Sequence, residues 1–194
     1  MTRLVIATGN AGKAREFEKL LGAEYELVLQ GELGIEGAEE TGTTFVENAL
    51  LKARHAARES GLPALADDSG IEVDALDGRP GVYSARYAGE GASNEENVEK
   101  LLREMSGQTN RSARFRCVLV WVQSADDEQP LIAEGAWEGS IAEARSGDGG
   151  FGYDPVFIDA ESGSTAAELQ PDEKNRRSHR GKALAELRKL LDNS

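Results

Sequence analysis

The rhythm of apolar positions changes along the chain, and each change marks a boundary between a short apolar run and a stretch with three-to-four spacing. Residues 4–7 form a strand-like run, cut by Thr8-Gly9-Asn10-Ala11-Gly12. Ala14, Phe17, Leu20 and Leu21 then place residues 13–21 on an amphipathic helix. Residues 25–29 read as a second strand, and residues 31–42 as an acidic connection punctuated by glycine. Residues 43–59 put Phe45, Ala49, Leu50 and Ala53 on one helical face, with Thr44 and Glu47 spaced as a capping box. Leu62-Pro63-Ala64-Leu65-Ala66 is a buried-strand run that delivers Asp67 and Asp68 to its end, where Gly70 lets the backbone turn.

A loop over residues 77–86 leads to a helix over about residues 93–105, whose Ser93 and Glu96 repeat the capping pattern. Residues 113–122 and 130–137 read as two long strands joined by a polar turn, with residues 140–144 adding a short third. Residues 147–155 are a glycine-rich loop. The closing helix, over about residues 178–191, carries a stripe of Ala183, Leu184, Leu187, Leu190 and Leu191. Helix and strand alternate in the first half and strands follow one another in the second. The prediction is therefore an α/β fold with a mixed central sheet flanked by helices.

Composition narrows this picture. At 194 residues, with 39% hydrophobic and 29% charged content, the chain suits one domain spanning residues 1–194. The formal charge of −13 argues against binding nucleic acid or an anionic membrane, because such binding rests on neutralising phosphates with Lys and Arg. A small anionic ligand needs only a local cluster of cations. The single Cys117 lies in an apolar run and reads as a core residue, which excludes a disulfide framework. No signal-peptide core precedes residue 4 and no stretch approaches the roughly 18 apolar residues of a membrane span, so the expectation is a cytoplasmic protein.

Five segments carry candidate chemistry. Adjacent carboxylates at Asp67 and Asp68 repel one another unless a cation or donors compensate, and hard oxygen ligands favour Mg²⁺, Mn²⁺ or Ca²⁺. Taken alone, Asp67-Asp68-Ser69-Gly70 is also an acidic turn capping a strand. Glu39-Glu40-Thr41-Gly42 offers a second acidic pair, readable as helix-dipole stabilisation or as a source of one more metal-binding carboxylate. Thr8 to Lys13 joins a strand to a helix N-terminus, where backbone N–H groups and Lys13 suit a phosphate, although the pattern is neither a P-loop nor a Rossmann fingerprint. In Gly149 to Asp154 the glycines allow close approach, while Phe151 and Tyr153 serve either to stack on a base or to pack in the core. Ser178-His179-Arg180 places cations in a first helical turn against the dipole, so an acceptor-rich partner such as a 6-oxo purine should face them. Lys52, by contrast, reads most simply as a solvated surface residue.

Taken together and in their order along the chain, these motifs, with Pro80-Gly81-Val82-Tyr83-Ser84-Ala85-Arg86-Tyr87 between the Asp67-Asp68 pair and the glycine-rich loop, resemble the inosine/xanthosine triphosphate pyrophosphatases, also called Ham1-like or RdgB-like proteins. The resemblance spans about residues 4–191. It implies two lobes around a cleft, a homodimer, and Mg²⁺-assisted hydrolysis of ITP, dITP and XTP to monophosphate and pyrophosphate. It assigns the substrate to Thr8, Gly9, Asn10, Ala11, Gly12, Lys13, Ser69, Phe151, Gly152, Tyr153, Asp154, Lys174, His179 and Arg180. It assigns the metal to Glu40 and Asp68, with Asp68 also taking the proton of the attacking water. Lys52 and Arg86 follow as further phosphate contacts. GTP shares the 6-oxo group, and its exclusion is not written in these motifs. A Maf-type pyrophosphatase and a nucleotide-binding regulator without turnover are the competing readings.

Overall fold

The computed structural model describes residues 1–193; residue 194 of the expected domain lies outside them. Six strands form one mixed sheet in the order β2-β1-β3-β4-β5-β6. They are β1 (Thr2–Ile6), β2 (Tyr25–Leu29), β3 (Ala64–Val73), β4 (Ser112–Val122), β5 (Leu131–Ile141) and β6 (Phe157–Asp159). β1 pairs in parallel with β2 and β3, and β5 pairs antiparallel with β6. The helices are α1 (Ala11–Leu21), α2 (Phe45–Ser60), α3 (Asn94–Glu104), α4 (Pro171–Arg177) and α5 (His179–Asp192). No helix among the described residues is long and apolar enough to cross a membrane.

The chain separates into two compact units. The first holds Met1–Asp68, Cys117–Glu134 and the chain from Ala183 onward; the second holds Ser69–Arg116 and Gly135–Lys182. β3, β4, β5 and α5 each run from one unit into the other.

Strand alternation builds the core of the first unit. Leu4, Ile6, Leu65, Cys117, Leu119 and Trp121 point to one sheet face, where Phe17 and Leu21 of α1 and Leu184 and Leu187 of α5 cover them. Their sequence neighbours Val5, Ala7, Ala64, Ala66, Val118 and Val120 point to the other, under Ala49, Ala53, Ala56 and Ala57 of α2. Four alanines let this helix lie close to the sheet, and each larger residue there would cost about 1–3 kcal/mol in overpacking. The second unit gathers Ile71, Val73, Phe115, Trp137, Tyr153 and Phe157 with Val98, Leu101 and Met105 from the α3 region.

Both capping boxes form: Thr44 and Ser93 accept from the backbone of Glu47 and Glu96, whose side chains reach back to the caps. Two expectations change, and two elements are new. β3 runs straight through Asp67-Asp68-Ser69-Gly70 instead of turning there, because each carboxylate meets a cation on its own face of the sheet. Residues 140 and 141 continue β5, so the short third strand is the far end of the second, and Gly139 makes room for it: a Cβ there would lie 2.1 Å from the Ile158 carbonyl oxygen of β6. α4 and β6 are too short for periodicity to reveal.

Candidate active site

Residues of the first unit assemble an acidic and cationic cluster. β1 ends at Ile6, while β3 continues past it and carries Asp67 and Asp68 beyond the carboxyl end of the paired register. Ligands of open α/β sheets bind outside such strand ends. Asp67 shares the face of Leu65 and meets Lys13 of α1, with Nζ 3.1 Å from Oδ1, while the Cys117 Sγ lies 4.0 Å from Oδ2. Asp68 shares the face of Ala64 and Ala66 and meets Lys52 of α2, with Nζ 3.0 Å from Oδ1. Lys52 also lies 3.4 Å from Glu40 Oε1. Lys52 is thus not a solvated surface residue: its side chain is only 13% exposed and bridges two carboxylates.

Electrostatics divides the two aspartates. Burial pushes the Asp68 carboxyl up to about 6; Lys52 and Lys13 oppose the shift, and Glu40 reinforces it. For Lys52, burial favours the neutral amine, but Asp68, Asp67 and Glu40 outweigh it and hold the ammonium above its ordinary value. Asp68 Oδ2 is buried and has no hydrogen-bond partner among the described residues. A buried carboxylate oxygen left unbonded is costly, and it fits a proton or a hard cation. With the half-buried carboxylate of Glu40 across Lys52, the donor set suits Mg²⁺, which usually takes one or two protein carboxylates. No group of three or more His, Cys, Asp or Glu residues arranged to hold a metal exists among the described residues.

The Thr8–Lys13 segment is more self-contained than a strand-to-helix loop with its amides turned outward. Asn10 Oδ1 caps α1 by accepting from Gly12 N at 2.9 Å and Lys13 N at 3.1 Å, and Thr8 Oγ1 accepts from Asn10 N at 3.0 Å. Gly9, Asn10 and Ala11 remain exposed.

Residues of the second unit assemble an aromatic and cationic cluster. Asp154 Oδ2 accepts from Phe151 N at 3.0 Å and from Lys174 Nζ at 2.7 Å. The Lys174 ammonium lies 4.9 Å and the Arg180 guanidinium carbon 5.9 Å from the centre of the half-buried Phe151 ring. Gly150 has φ +71°, and a Cβ there would sit 2.0 Å from Asp154 Oδ2, so only glycine lets the aspartate reach round the loop. Ser178 Oγ caps α5 by accepting from Gly181 N at 3.0 Å. That cap sets His179 parallel to Phe115, with ring centres 4.7 Å apart, and sends Arg180 Nη2 to Ser69 Oγ at 3.0 Å. The His179 ring thus meets a π-face, and the Arg180 guanidinium, whose charge opposes the dipole, meets a hydroxyl.

Tyr153 takes the packing role. It is 6% exposed and its Oη donates to the Ser84 carbonyl oxygen at 2.6 Å. Arg86 lies against the exposed Tyr83 ring, 5.2 Å from its centre, and 3.6 Å from Glu90. Two residues escaped the sequence reading. Asn48 is fully buried in α2 and pins the acidic connection by accepting from Gly42 N at 2.8 Å and donating to Gly42 O at 3.3 Å. Ser84 is the other. An asparagine on the apolar face of a helix was the available signal for the first, since it is disfavoured there without a partner.

Comparison with known proteins agrees along the whole chain. The Ham1 family profile matches residues 4–190. A dITP/XTP pyrophosphatase of Methylococcus capsulatus is 60% identical over 192 residues, covering 97% of this chain and 96% of that protein. Another dITP/XTP pyrophosphatase, of Thioalkalivibrio sulfidiphilus, is 57% identical and covers 97% of this chain and 98% of its own. The solved structure of a HAM1 protein from Coxiella burnetii superposes with a TM-score of 0.92 at 47% identity, with all of both chains covered. With the fold, the order of the motifs and full-length identity in agreement, the chain belongs to the Ham1 family.

Proposed function

We propose that this enzyme hydrolyses the triphosphates of deaminated purines, ITP, dITP and XTP, to the monophosphate and pyrophosphate, clearing them from the nucleotide pool. The observation that carries the reading is Asp68: a buried carboxyl raised to about 6, with one oxygen on Lys52 and the other unbonded. A group so poised can take a proton near neutral pH. In this reading Asp68 Oδ2 accepts the proton of a water whose oxygen attacks phosphorus. The phosphoanhydride bond between the α- and β-phosphates breaks, and pyrophosphate leaves with the bonding electrons. Lys13 and Lys52 neutralise phosphate charge, Lys13 at the head of the Thr8–Lys13 loop. Glu40 and Asp68 would hold Mg²⁺, which when bound supplies further charge neutralisation on the phosphates.

The base falls to the second set of residues. Phe151 offers a ring face, and aromatic stacking is worth about 1–3 kcal/mol per base. Lys174, His179 and Arg180 donate, with Ser69 behind Arg180. A 6-oxo group completes these bonds, whereas the 6-amino group of ATP presents donors to donors. The names of the relatives, dITP/XTP pyrophosphatases, support two of these substrates, dITP and XTP. We read the chain as one catalytic domain in the cytoplasm, assembled, as the resemblance implies, as a homodimer. Pyrophosphate release measured with Mg²⁺ from ITP, dITP, XTP, ATP, dUTP and dTTP tests the function. Fast release from the first three is expected, and flat or pyrimidine-biased rates would overturn it.

A further inference from the structure

The glycine loop that carries Phe151 borders a cavity of about 420 Å³, lined by residues 146–152 together with Asn94, Val98 and Arg145. A segment with open space on one side gains little from close packing there, so its position depends on its anchors. Asp154 is one, through Phe151 N and Lys174. Tyr153 is the other: its ring belongs to the core of the second unit and its Oη donates to Ser84 O at 2.6 Å. Ser84 is itself 5% exposed, and its Oγ donates to Gly81 O at 2.6 Å while accepting from Ile71 N at 2.9 Å. Ile71 follows Ser69 by two residues on β3, and Ser69 holds Arg180.

We propose that Ser84 and Tyr153 form a strut of positioning residues that fixes the Phe151 loop against the strand bearing Ser69, and so sets the selection of the base without touching the nucleotide. The proposal rests on the pyrophosphatase reading. Its logic is geometric. Phe151 must lie flat on a base while Arg180 meets the edge of the same base, so their spacing has to be kept. Arg180 is tied to β3 through Ser69, and the Phe151 loop is tied to β3 through Tyr153, Ser84 and Ile71. Both ties end on the same stretch of strand. Losing the Tyr153 hydroxyl leaves a carbonyl oxygen of a buried residue without this donor and frees the loop toward the cavity.

Tyr153→Phe tests this, because it removes the hydroxyl and keeps the packed ring. The expected result is a KM for ITP raised about 3- to 10-fold, the equivalent of one neutral hydrogen bond, with kcat little changed. The ratio of kcat/KM for ITP over ATP should fall, and the amides of residues 151–154 should exchange with deuterium faster than in the wild type. Ser84→Ala should shift the same quantities in the same direction, and the double variant should fall short of additivity. Wild-type kinetics and exchange in Tyr153→Phe would overturn the strut. A fall in kcat at unchanged KM would overturn it too, moving Tyr153 into the chemical step. If the wild-type protein releases no pyrophosphate from ITP, the functional reading fails, and unchanged exchange in Tyr153→Phe then counts against the strut by itself.

Discussion

Asp67 and Asp68 are the same residue one peptide bond apart, and their surroundings give them different chemistry. Asp67 is 1% exposed and engaged with Lys13, whereas Asp68 keeps a buried unbonded oxygen and a raised carboxyl. A buried ion pair contributes little net stability, because desolvation consumes most of the Coulomb attraction. Its value here is placement of charge. Asp68→Asn should therefore cut kcat by about 10²–10⁴-fold, the usual contribution of a positioned proton acceptor, while ITP still binds. Single-turnover pyrophosphate release with parallel calorimetric binding checks this, and wild-type turnover would remove Asp68 from the chemistry. The motif residues were readable because their types are unusual locally: paired acids, four glycines among six residues, cations at a helix start. Lys52 was not, since only the approach of α2 to β3 reveals that a lysine in a helix meets an acid sixteen residues away.

The elements divide the labour in a way that substitutions can separate. α2 is held at its start by Thr44 and Glu47, and one turn later Asn48 reaches back to Gly42, next but one to Glu40. Thr44→Ala should cost about 1 kcal/mol of stability, the worth of an N-cap, without altering kcat. Asn48→Ala should destabilise more, by orphaning a backbone N–H at Gly42, and should also raise the Mg²⁺ concentration needed for half-maximal rate. Thermal denaturation and metal titration distinguish the two, and equal metal dependence would separate Asn48 from the placing of Glu40. Helices and long strands were legible from periodicity and caps. β6 and α4 were not: at three and seven residues, they exist because tertiary partners hold them. Trp137 Nε1 and Arg177 converge on Asp159 at the end of β6, and neither contact leaves a trace in local pattern.

For the molecule as a whole, acid stability follows from that last cluster. Burial alone would raise the Asp159 carboxyl, but hydrogen bonds from Trp137 and Ser162, with the charge of Arg177, outweigh it and hold the group below its ordinary value. A carboxylate lowered in the folded state contributes stability that is complete above its unfolded pKa of about 3.9 and is lost as pH falls through the folded value. Asp159→Asn should therefore be less stable than wild type at pH 7, with the difference shrinking below about pH 4. Urea denaturation at pH 7 and pH 3 measures it, and a gap that stays constant would detach Asp159 from acid unfolding. No linker marks the division into two units: the boundary crosses three strands and a helix. One of those crossings falls between Asp68 and Ser69, inside a strand whose side chains alternate between faces. Inserting or deleting a single residue between Ala64 and Asp67 would exchange the faces of the two acids, turning the residue meant for Lys52 toward Lys13. A change of two residues would restore the faces but carry both acids about 7 Å along the strand, away from lysines that now lie 3.1 and 3.0 Å from them, so this stretch of chain has one working length.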